Sequence, residues 1–258
     1  MILSDRHMHT NFCDGGKAPE EYVIAAIDKG LTRIGFSVHS YVPFDLECCI
    51  AKERIPEYKA VIGELKKKYS GKIEIQCGIE QDYYSETTTE GYDYVIGSYH
   101  YFRTPDGEYI PLDLTFNTLE KLCNDYFDGD FMSLCEDYYR MEADIPKKIN
   151  ADIIGHIDLI TKFNEKHPAI DTKDPRYIKA YTDAVKALIP YNIPFEINTG
   201  AITRNHRTLP YPSEDILRTI VTMGGRLTLS SDAHKPEHIA YGFEMCEKWA
   251  LDNGATLI

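Results

Sequence analysis

The sequence predicts an α/β barrel of parallel strands, and two observations carry that expectation. Seven short runs rich in β-branched or aromatic residues, at 2–6, 33–37, 73–79, 94–98, 152–155, 193–198 and 226–230, recur along the chain with helical patterns between them. Strands that alternate with helices pair in parallel, and about seven such units approach the eight of a closed barrel. The 258 residues are 43% hydrophobic and 27% charged, enough to bury one sizeable core, so 1–258 reads as a single barrel domain.

The helices follow in order. Pro19 suits a first turn with Glu20 and Glu21 beside it, Val23, Ala26 and Ile27 form the apolar stripe, and Gly30 closes the helix. Helical patterns also cover 52–69 and 178–189. Ser213 is placed to cap a helix carrying Ile216, Leu217, Ile220 and Val221 before Gly224-Gly225. Pro236 opens another carrying Ile239, Phe243, Cys246 and Ala250 before Gly254. The irregular stretch is 101–150, where nine aromatic residues accompany eleven acidic and five basic ones, so it supplies −6 of the net −13. Helices are expected at 119–126 and 131–148, forming a cap inserted after the fourth strand, with aromatics that mostly pack it onto the barrel.

Charge and cysteine usage narrow the function. With 28 Lys and Arg against 41 Asp and Glu, the field repels a phosphate backbone, so long nucleic acid is a poor partner. The cysteines at 13, 48, 49, 77, 123, 135 and 246 are odd in number and contain no Cys-x-x-Cys pair; reduced thiols in a reducing compartment are the simplest account. No run approaches the roughly 18 apolar residues of a membrane helix, and the start reaches Asp5 and Arg6 too early for a signal peptide. A cytoplasmic protein with no membrane partner is expected; the oligomeric state is left open. No repeat of about 20–50 residues suggests a solenoid.

Chemistry emerges when the polar residues are placed on the strands. His7 and His9 end the first, His39 follows the second, Glu80 ends the third, His100 follows the fourth, His156 the fifth, and Asp232 and His234 the seventh. The C-terminal ends of barrel strands converge on one face. A single histidine there is most often a satisfied core residue, but six of the nine histidines at equivalent positions exceed what packing explains. His7-x-His9 and Asp232-x-His234 put paired side chains on the same side of an extended chain, so each pair can chelate one ion. Imidazole mixed with carboxylate and no thiolate suits zinc, manganese or iron(II). Asp14 raises the candidate ligands to nine, enough for two or three ions, and Glu80 has the two oxygens needed to bridge a pair.

Asp5-Arg6-His7-Met8-His9, Gly78-Ile79-Glu80, Gly97-Ser98-Tyr99-His100, Gly155-His156-Ile157-Asp158 and Ser231-Asp232-Ala233-His234 resemble the successive metal motifs of the polymerase and histidinol phosphatase (PHP) family, over residues 5 to about 250. Within it, Phe195-Glu196-Ile197-Asn198-Thr199-Gly200, Ser230–His234 and Pro236-Glu237-His238 resemble the stand-alone histidinol-phosphate phosphatases. The resemblance implies a distorted (β/α)7 barrel holding a trinuclear centre. By position, it implies one metal on His7, His9, Glu80 and Asp232, a second on Glu80, His100 and His156, and a third served by His39 and His234. Two departures stand out. Cys13-Asp14-Gly15 replaces a frequent Ser-Asp-Gly, leaving Asp14 as ligand or as a support for one; Ser37-Val38-His39 replaces Thr-Asp-His, removing an acid that would orient His39.

Three divalent ions would outweigh the three ligand carboxylates and leave a positive site for a phosphate monoester, with metal-activated water as the nucleophile. Arg204, six residues beyond the end of the sixth strand, can clamp phosphate oxygens, and Lys162, six beyond His156, matches a position where relatives carry a cation. His206 and Arg207 read equally well as polar loop residues, Lys166 and His167 as loop residues, and His238 as a supporting or capping residue. Asp14, His206 or bound water could protonate the leaving group. The expected activity is metal-dependent phosphomonoester hydrolysis, with L-histidinol phosphate as the substrate that the resemblance implies. A nucleotide phosphatase or small-oligonucleotide phosphodiesterase on the same scaffold is the nearest alternative, and a non-catalytic metal-binding module is another.

Overall fold

The apolar runs pair side by side in the computed structural model of the chain, which describes residues 3–258. The main sheet contains β1 (Ser4–Asp5), β2 (Arg33–Phe36), β3 (Glu74–Asp82) and β4 (Tyr94–Ser98), while β5 (Tyr101–Arg103) and β6 (Tyr109–Pro111) form a separate antiparallel hairpin. The main sheet continues with β7 (Ile153–Ile154), β8 (Phe195–Asn198), β9 (Arg226–Ser230) and β10 (Thr256–Leu257). Its order is β1-β2-β3-β4-β7-β8-β9-β10, with every pairing parallel. β10 lies against the first residues of β9. Beyond the far end of β9, Met8 and Ala233 form a parallel bridge, in which His9 N donates to Ala233 O at 2.9 Å and Ala233 N to His7 O at 3.1 Å. This bridge turns the sheet into the expected distorted barrel.

Asp5 reinforces the closure. Its buried carboxylate accepts from Ser231 N at 3.1 Å and Ala240 N at 2.9 Å, tying β1 to the segment after β9. Inside the barrel the Tyr94 side chain lies over Gly35 and Gly78, where an added Cβ would fall 2.4 Å from its hydroxyl and 2.3 Å from its ring, respectively. Both positions must lack a side chain for that ring to fit.

Several helices follow their sequence signals. In α1 (Pro19–Asp28), Pro19 opens the helix, Tyr22, Val23 and Ala26 are buried, and Gly30 takes φ +76° just beyond the end. A 3-10 turn over Lys52–Arg54 precedes α2 (Ile55–Lys68), which Pro56 opens. The segment 101–150 contains the unpredicted β5–β6 hairpin followed by α3 (Phe116–Phe127), α4 (Phe131–Glu142) and α5 (Ile145–Lys148). Thr115 and Asp130 cap α3 and α4 through their side chains. The continuous helix expected over 131–148 is broken because Pro146 has no amide for the carbonyl of Glu142, where α4 ends.

The aromatics of 101–150 mostly pack. Tyr138 and Tyr139 are buried, with Tyr139 hydroxyl bonded to Tyr177 at 2.9 Å on α6 (Pro175–Leu188), and Tyr109 stacks on Phe44 at 3.8 Å. The short α7 (Gly200–Thr203) follows β8. Ser213 precedes α8 (Glu214–Thr222), but its side chain makes no cap bond; its amide donates instead to Asp158 at 2.9 Å. The helix expected from Pro236 divides into a 3-10 turn, Pro236–His238, and α9 (Phe243–Asp252), which begins after Gly242 at φ +70°. All seven cysteines are free. Among the described residues no helix is long and apolar enough to cross a membrane.

Candidate metal centre

The nine predicted ligands meet at the C-terminal ends of the strands. His7 Nε2 and His9 Nε2 lie 3.3 and 3.5 Å from Glu80 Oε2, and 3.8 and 3.1 Å from Asp232 Oδ1. Ligands about 2.0–2.1 Å from a tetrahedral zinc stand roughly 3.3 Å from each other, the spacing these atoms approach. His7 Nε2, His9 Nε2 and Glu80 Oε2 are buried and make no hydrogen bond of good geometry among the described residues, although Asp232 Oδ1 and His39 Nδ1 stand within ion-pair distance of His9 and Glu80. Buried polar atoms without partners are rare, and a shared cation explains all three at once. The donor set therefore fits a divalent metal.

Glu80 turns its other oxygen to a second group. Oε1 lies 3.0 Å from His156 Nε2 and 3.4 Å from His100 Nε2, and those two nitrogens are 3.3 Å apart. Glu80 lies inside β3 rather than at its end, because the strand continues through buried Gln81 and Asp82. A third group surrounds Asp14, whose Oδ2 is 3.1 Å from His234 Nε2 and whose Oδ1 is 3.8 Å from His39 Nε2. His39 Nδ1 faces Glu80 Oε2 at 2.9 Å, so a carboxylate lies against this ring although residue 38 is a buried valine. His9, Asp14, His39 and His234 lie close enough together to share an ion, as do His7, His9 and Asp232, and His39, Glu80 and His100.

Local backbone geometry permits this crowding. A Cβ on Gly15 would lie 2.3 Å from the carbonyl carbon of His9, so the turn that brings Asp14 back over His9 requires glycine. Asp232 has φ +50°, a left-handed conformation that differs from the extended chain expected for 232–234. The pair still faces one centre, with the His234 ring stacked on His9 at 4.2 Å.

Electrostatics match ligand chemistry. Burial alone would raise the pKa of Glu80, but His7, His39 and His100 outweigh it and hold the carboxyl well below its usual range. Asp232 is likewise held low, against burial, by Arg204 and His7. Burial, with His39 and His234 alongside, pushes His9 down to about 3 and keeps it neutral. Burial works against the charge on His100, yet Glu80 and Asp82 raise it to about 10, so metal binding there must displace a proton.

Supporting carboxylates were not singled out from the sequence. Glu196 Oε1 lies 2.6 Å from His7 Nδ1, while its Oε2 accepts from His156 N and Asn198 Nδ2, both at 3.1 Å. Asp82 Oδ2 lies 3.2 Å from His100 Nδ1. Such partners fix the tautomer that leaves Nε2 free for a metal. The available signal was a charged residue within a buried parallel strand, as in Phe195-Glu196-Ile197.

A cavity of about 490 Å³ opens on the centre, lined by Asp14, His39, His100, His156, Asp232 and His234 together with Arg204 and Lys162. Arg204 Nη2 donates to Asp232 Oδ2 at 2.9 Å. Arg204 Nη1 and the Asp232 carbonyl both approach His234 Nδ1, at 2.8 and 2.9 Å. Lys162 is buried rather than a solvated surface charge, and donates to the carbonyl and carboxylate of Asp113 at 2.7 and 2.8 Å. Asp113, between β6 and α3, had no signal of its own in the sequence.

The remaining candidates separate from this cavity. Arg207 is buried against Asp158 and Thr161, and His167 stacks on Phe116 at 4.3 Å. His206 meets the edge of Phe163, Lys166 donates to Asn205 O, and His238 lies on the turn before α9; none lines the cavity.

Comparison with known proteins gives the family and the fold. The PHP domain matches residues 5–200. A Deinococcus radiodurans protein described as a probable histidinol-phosphatase is 30% identical over 99% of this chain and 95% of its own length. The Bacillus subtilis histidinol-phosphatase is 26% identical over 95% of this chain and 98% of its own. A solved histidinol phosphate phosphatase from Lactococcus lactis, in complex with zinc, L-histidinol and phosphate, has a TM-score of 0.71 and 20% identity, covering 99% of this chain and 95% of that one. A solved Listeria monocytogenes chain has a TM-score of 0.80 at 19% identity, over 94% of this chain and 99% of its own, so the fold is shared.

Proposed function

Because the chain belongs to the PHP domain family, we propose that it is a metal-dependent phosphomonoesterase that hydrolyses L-histidinol phosphate to L-histidinol and phosphate. The carrying observation is one cavity in which Arg204 and Lys162 stand beside the converged His, Asp and Glu donors. The names of the full-length relatives support the substrate. In this reading residues 1–258 form one barrel domain, 101–150 is its cap, and the enzyme works in the cytoplasm.

His7, His9, Glu80 and Asp232 would hold one ion, Glu80, His100 and His156 a second, and Asp14, His39 and His234 a third. Zinc, manganese or iron(II) suits this donor set. Divalent ions so held supply Lewis acidity, which acidifies water and neutralises phosphoryl charge.

The chain's own groups do the rest. Arg204 exchanges its contact with Asp232 for phosphoryl oxygens, presenting a planar fork that Lys could not. Lys162, held over the cavity by Asp113, supplies a second cation. Glu196 and Asp82 keep His7 and His100 oriented while substrate binds and leaves.

The test is turnover of the metal-reconstituted protein on histidinol phosphate, nucleoside monophosphates and a phosphodiester, alongside elemental analysis. Two or three metal equivalents and the highest kcat/KM on histidinol phosphate are expected. A higher value on a nucleotide or diester would replace the substrate assignment. No hydrolysis at full metal loading would leave a binding module.

A further inference from the structure

We propose that Arg207 is a positioning residue for phosphate recognition, a buried tie that fixes the turn carrying Arg204 against the turn carrying Lys162. The inference rests on the reading of those two cations as the phosphate clamp and concerns what sets the spacing between them.

The two cations reach the cavity from separate segments. Arg204 follows α7, its amide donating to Gly200 O at 3.2 Å, and the loop closes where His206 N and Arg207 N both donate to Ala201 O, at 2.9 and 3.2 Å. Lys162 ends a 3-10 turn, Leu159–Thr161, that starts from His156. Within it Leu159 N donates to His156 O at 2.9 Å, and Lys162 N to Leu159 O at 2.8 Å. These bonds fix each turn internally and leave the separation of the two turns to contacts between them.

Arg207 makes such a contact from the interior. Its Nη1 donates to Thr161 Oγ1 at 2.9 Å and, at the longer distance of 3.4 Å, to Asp158 Oδ2, both on the Lys162 segment. Nη2 donates to Pro210 O at 3.3 Å on its own segment, so one planar group is held from both sides. Thr161 adjoins Lys162, and its hydroxyl passes the restraint on by donating to Asp158 O at 2.8 Å. The guanidinium also packs over the buried Tyr211 ring at 4.3 Å. Tyr211 is pinned to the end of β8, where its amide and carbonyl pair with Asn198 at 2.9 and 2.8 Å. Arg207 does not line the cavity, so it acts through the residues that do.

An ordinary buried ion pair does not account for this arrangement. Asp158 is the most distant of the three oxygen partners, and its Oδ2 accepts a closer bond from Ser213 N at 2.9 Å. Arg207 Nε is buried and makes no hydrogen bond among the described residues. Burying a guanidinium with a long carboxylate contact costs stability that an apolar side chain of similar size would recover. The exposed links between the two loops, Lys166 to Asn205 O and Thr208 N to Glu165 at 2.8 Å, lie out at the surface. The shortest bond of Arg207 goes instead to the residue next to Lys162.

Isothermal titration of inorganic phosphate into the zinc-loaded protein reads the clamp directly. Arg207→Lys keeps the charge but loses the two-sided fork, and should weaken phosphate binding about tenfold at unchanged metal content. Arg204→Ala and Lys162→Ala should each weaken binding in the wild-type background, and each should cost less when combined with Arg207→Lys, because the clamp is already loosened. A purely structural residue would instead add its loss independently. Thr161→Val removes the Arg207 acceptor from the opposite segment and should show the same loss and coupling, whereas Thr161→Ser, which keeps the hydroxyl, should recover most of the affinity. This pair carries the test if Arg207→Lys does not fold. Wild-type affinity in Arg207→Lys or in Thr161→Val, or losses that simply multiply, would overturn the role of Arg207 and leave the phosphate clamp standing. Wild-type affinity in both Arg204→Ala and Lys162→Ala would overturn the clamp itself and Arg207 with it.

Discussion

Glu80 meets two groups of imidazoles with different oxygens, Oε2 toward His7 and His9 and Oε1 toward His100 and His156. Glu80→Gln preserves the volume but replaces one oxygen with an amide that cannot ligate, and removes the charge that offsets two cations. Hydrolysis should collapse together with the loss of more than one metal equivalent, as read by turnover and elemental analysis. Wild-type values for both would remove the bridging role. Arg204 reaches Asp232 across Gly200, where an added Cβ would fall 2.6 Å from the Asp232 carboxylate and 2.8 Å from the guanidinium. Losing a charge-assisted contact of about 3 kcal/mol predicts that Arg204→Ala lowers kcat/KM on the order of 100-fold with metals retained. Arg204→Lys should lose less, because charge remains while the bidentate fork does not. Unchanged kinetics in Arg204→Ala would shift phosphate recognition to Lys162. The nine candidate ligands were legible because strand ends converge wherever a parallel barrel forms. Asp113 was not legible, since its meeting with Lys162, 49 residues away, depends on the path of an irregular loop.

The helix α4 shows where local reading succeeds and where it stops. Its apolar spacing was visible, and so was Pro146, but the pattern alone did not weigh the lost amide against the periodicity. The hairpin β5–β6 escaped because three-residue strands are too short to show alternation, and their pairing depends on Phe44 and Val42 from another loop. β3 extended past its apolar run because Glu80 and Asp82 face a buried site, where charge no longer signals solvent. The final residue of α4, Glu142, carries the same kind of hidden information. It is 1% exposed, and neither carboxyl oxygen has a hydrogen-bond partner among the described residues. Burial pushes its pKa well above the ordinary value. The folded chain therefore keeps a proton that the unfolded chain releases above about pH 4.3. The associated stability is fully present below that value and is lost as pH rises toward the raised folded pKa, by up to about 1.4 kcal/mol per pH unit. Glu142→Gln, neutral and of similar size, should match the wild type near pH 4 and exceed it in stability at neutral pH. Denaturant unfolding across this range, with chelator present throughout so that metal release does not contribute, measures the difference. Parallel profiles for the two proteins would show that Glu142 does not hold the proton.

Across the molecule, the centre joins residues from 7 to 234, gathered from the ends of β1, β2, β4, β7 and β9 and from within β3. The sheet closes through one short bridge at Met8 and Ala233 and through the carboxylate of Asp5, so few backbone contacts hold its first and last major strands together. Ions shared by His7, His9 and Asp232 would cross that seam, and an ion on Glu80, His100 and His156 would bind the opposite wall to it. Metals that bind the folded chain and not the unfolded one stabilise it by mass action, about 2.7 kcal/mol at a free concentration 100 times the Kd. For a chain of this size each kcal/mol moves Tm by roughly 2–4 °C, so complete chelation should lower Tm by roughly 5–10 °C per tightly held ion. The direction is reinforced by charge, because removal of the ions leaves Asp14, Glu80 and Asp232 crowded together in a protein of net charge −13. Protons partly compensate, since burial is outweighed at His7 and His39 by neighbouring carboxylates and, for His39, Cys48, which raise both pKa values well above normal. Chelation should therefore proceed more readily at lower pH, where protons compete for the same nitrogens. Differential scanning calorimetry before and after chelation, with elemental analysis and readdition of zinc, checks this. A Tm that stays constant while the metal content falls to zero would show that the centre serves chemistry alone and that Asp5 and the Met8–Ala233 bridge suffice to close the barrel.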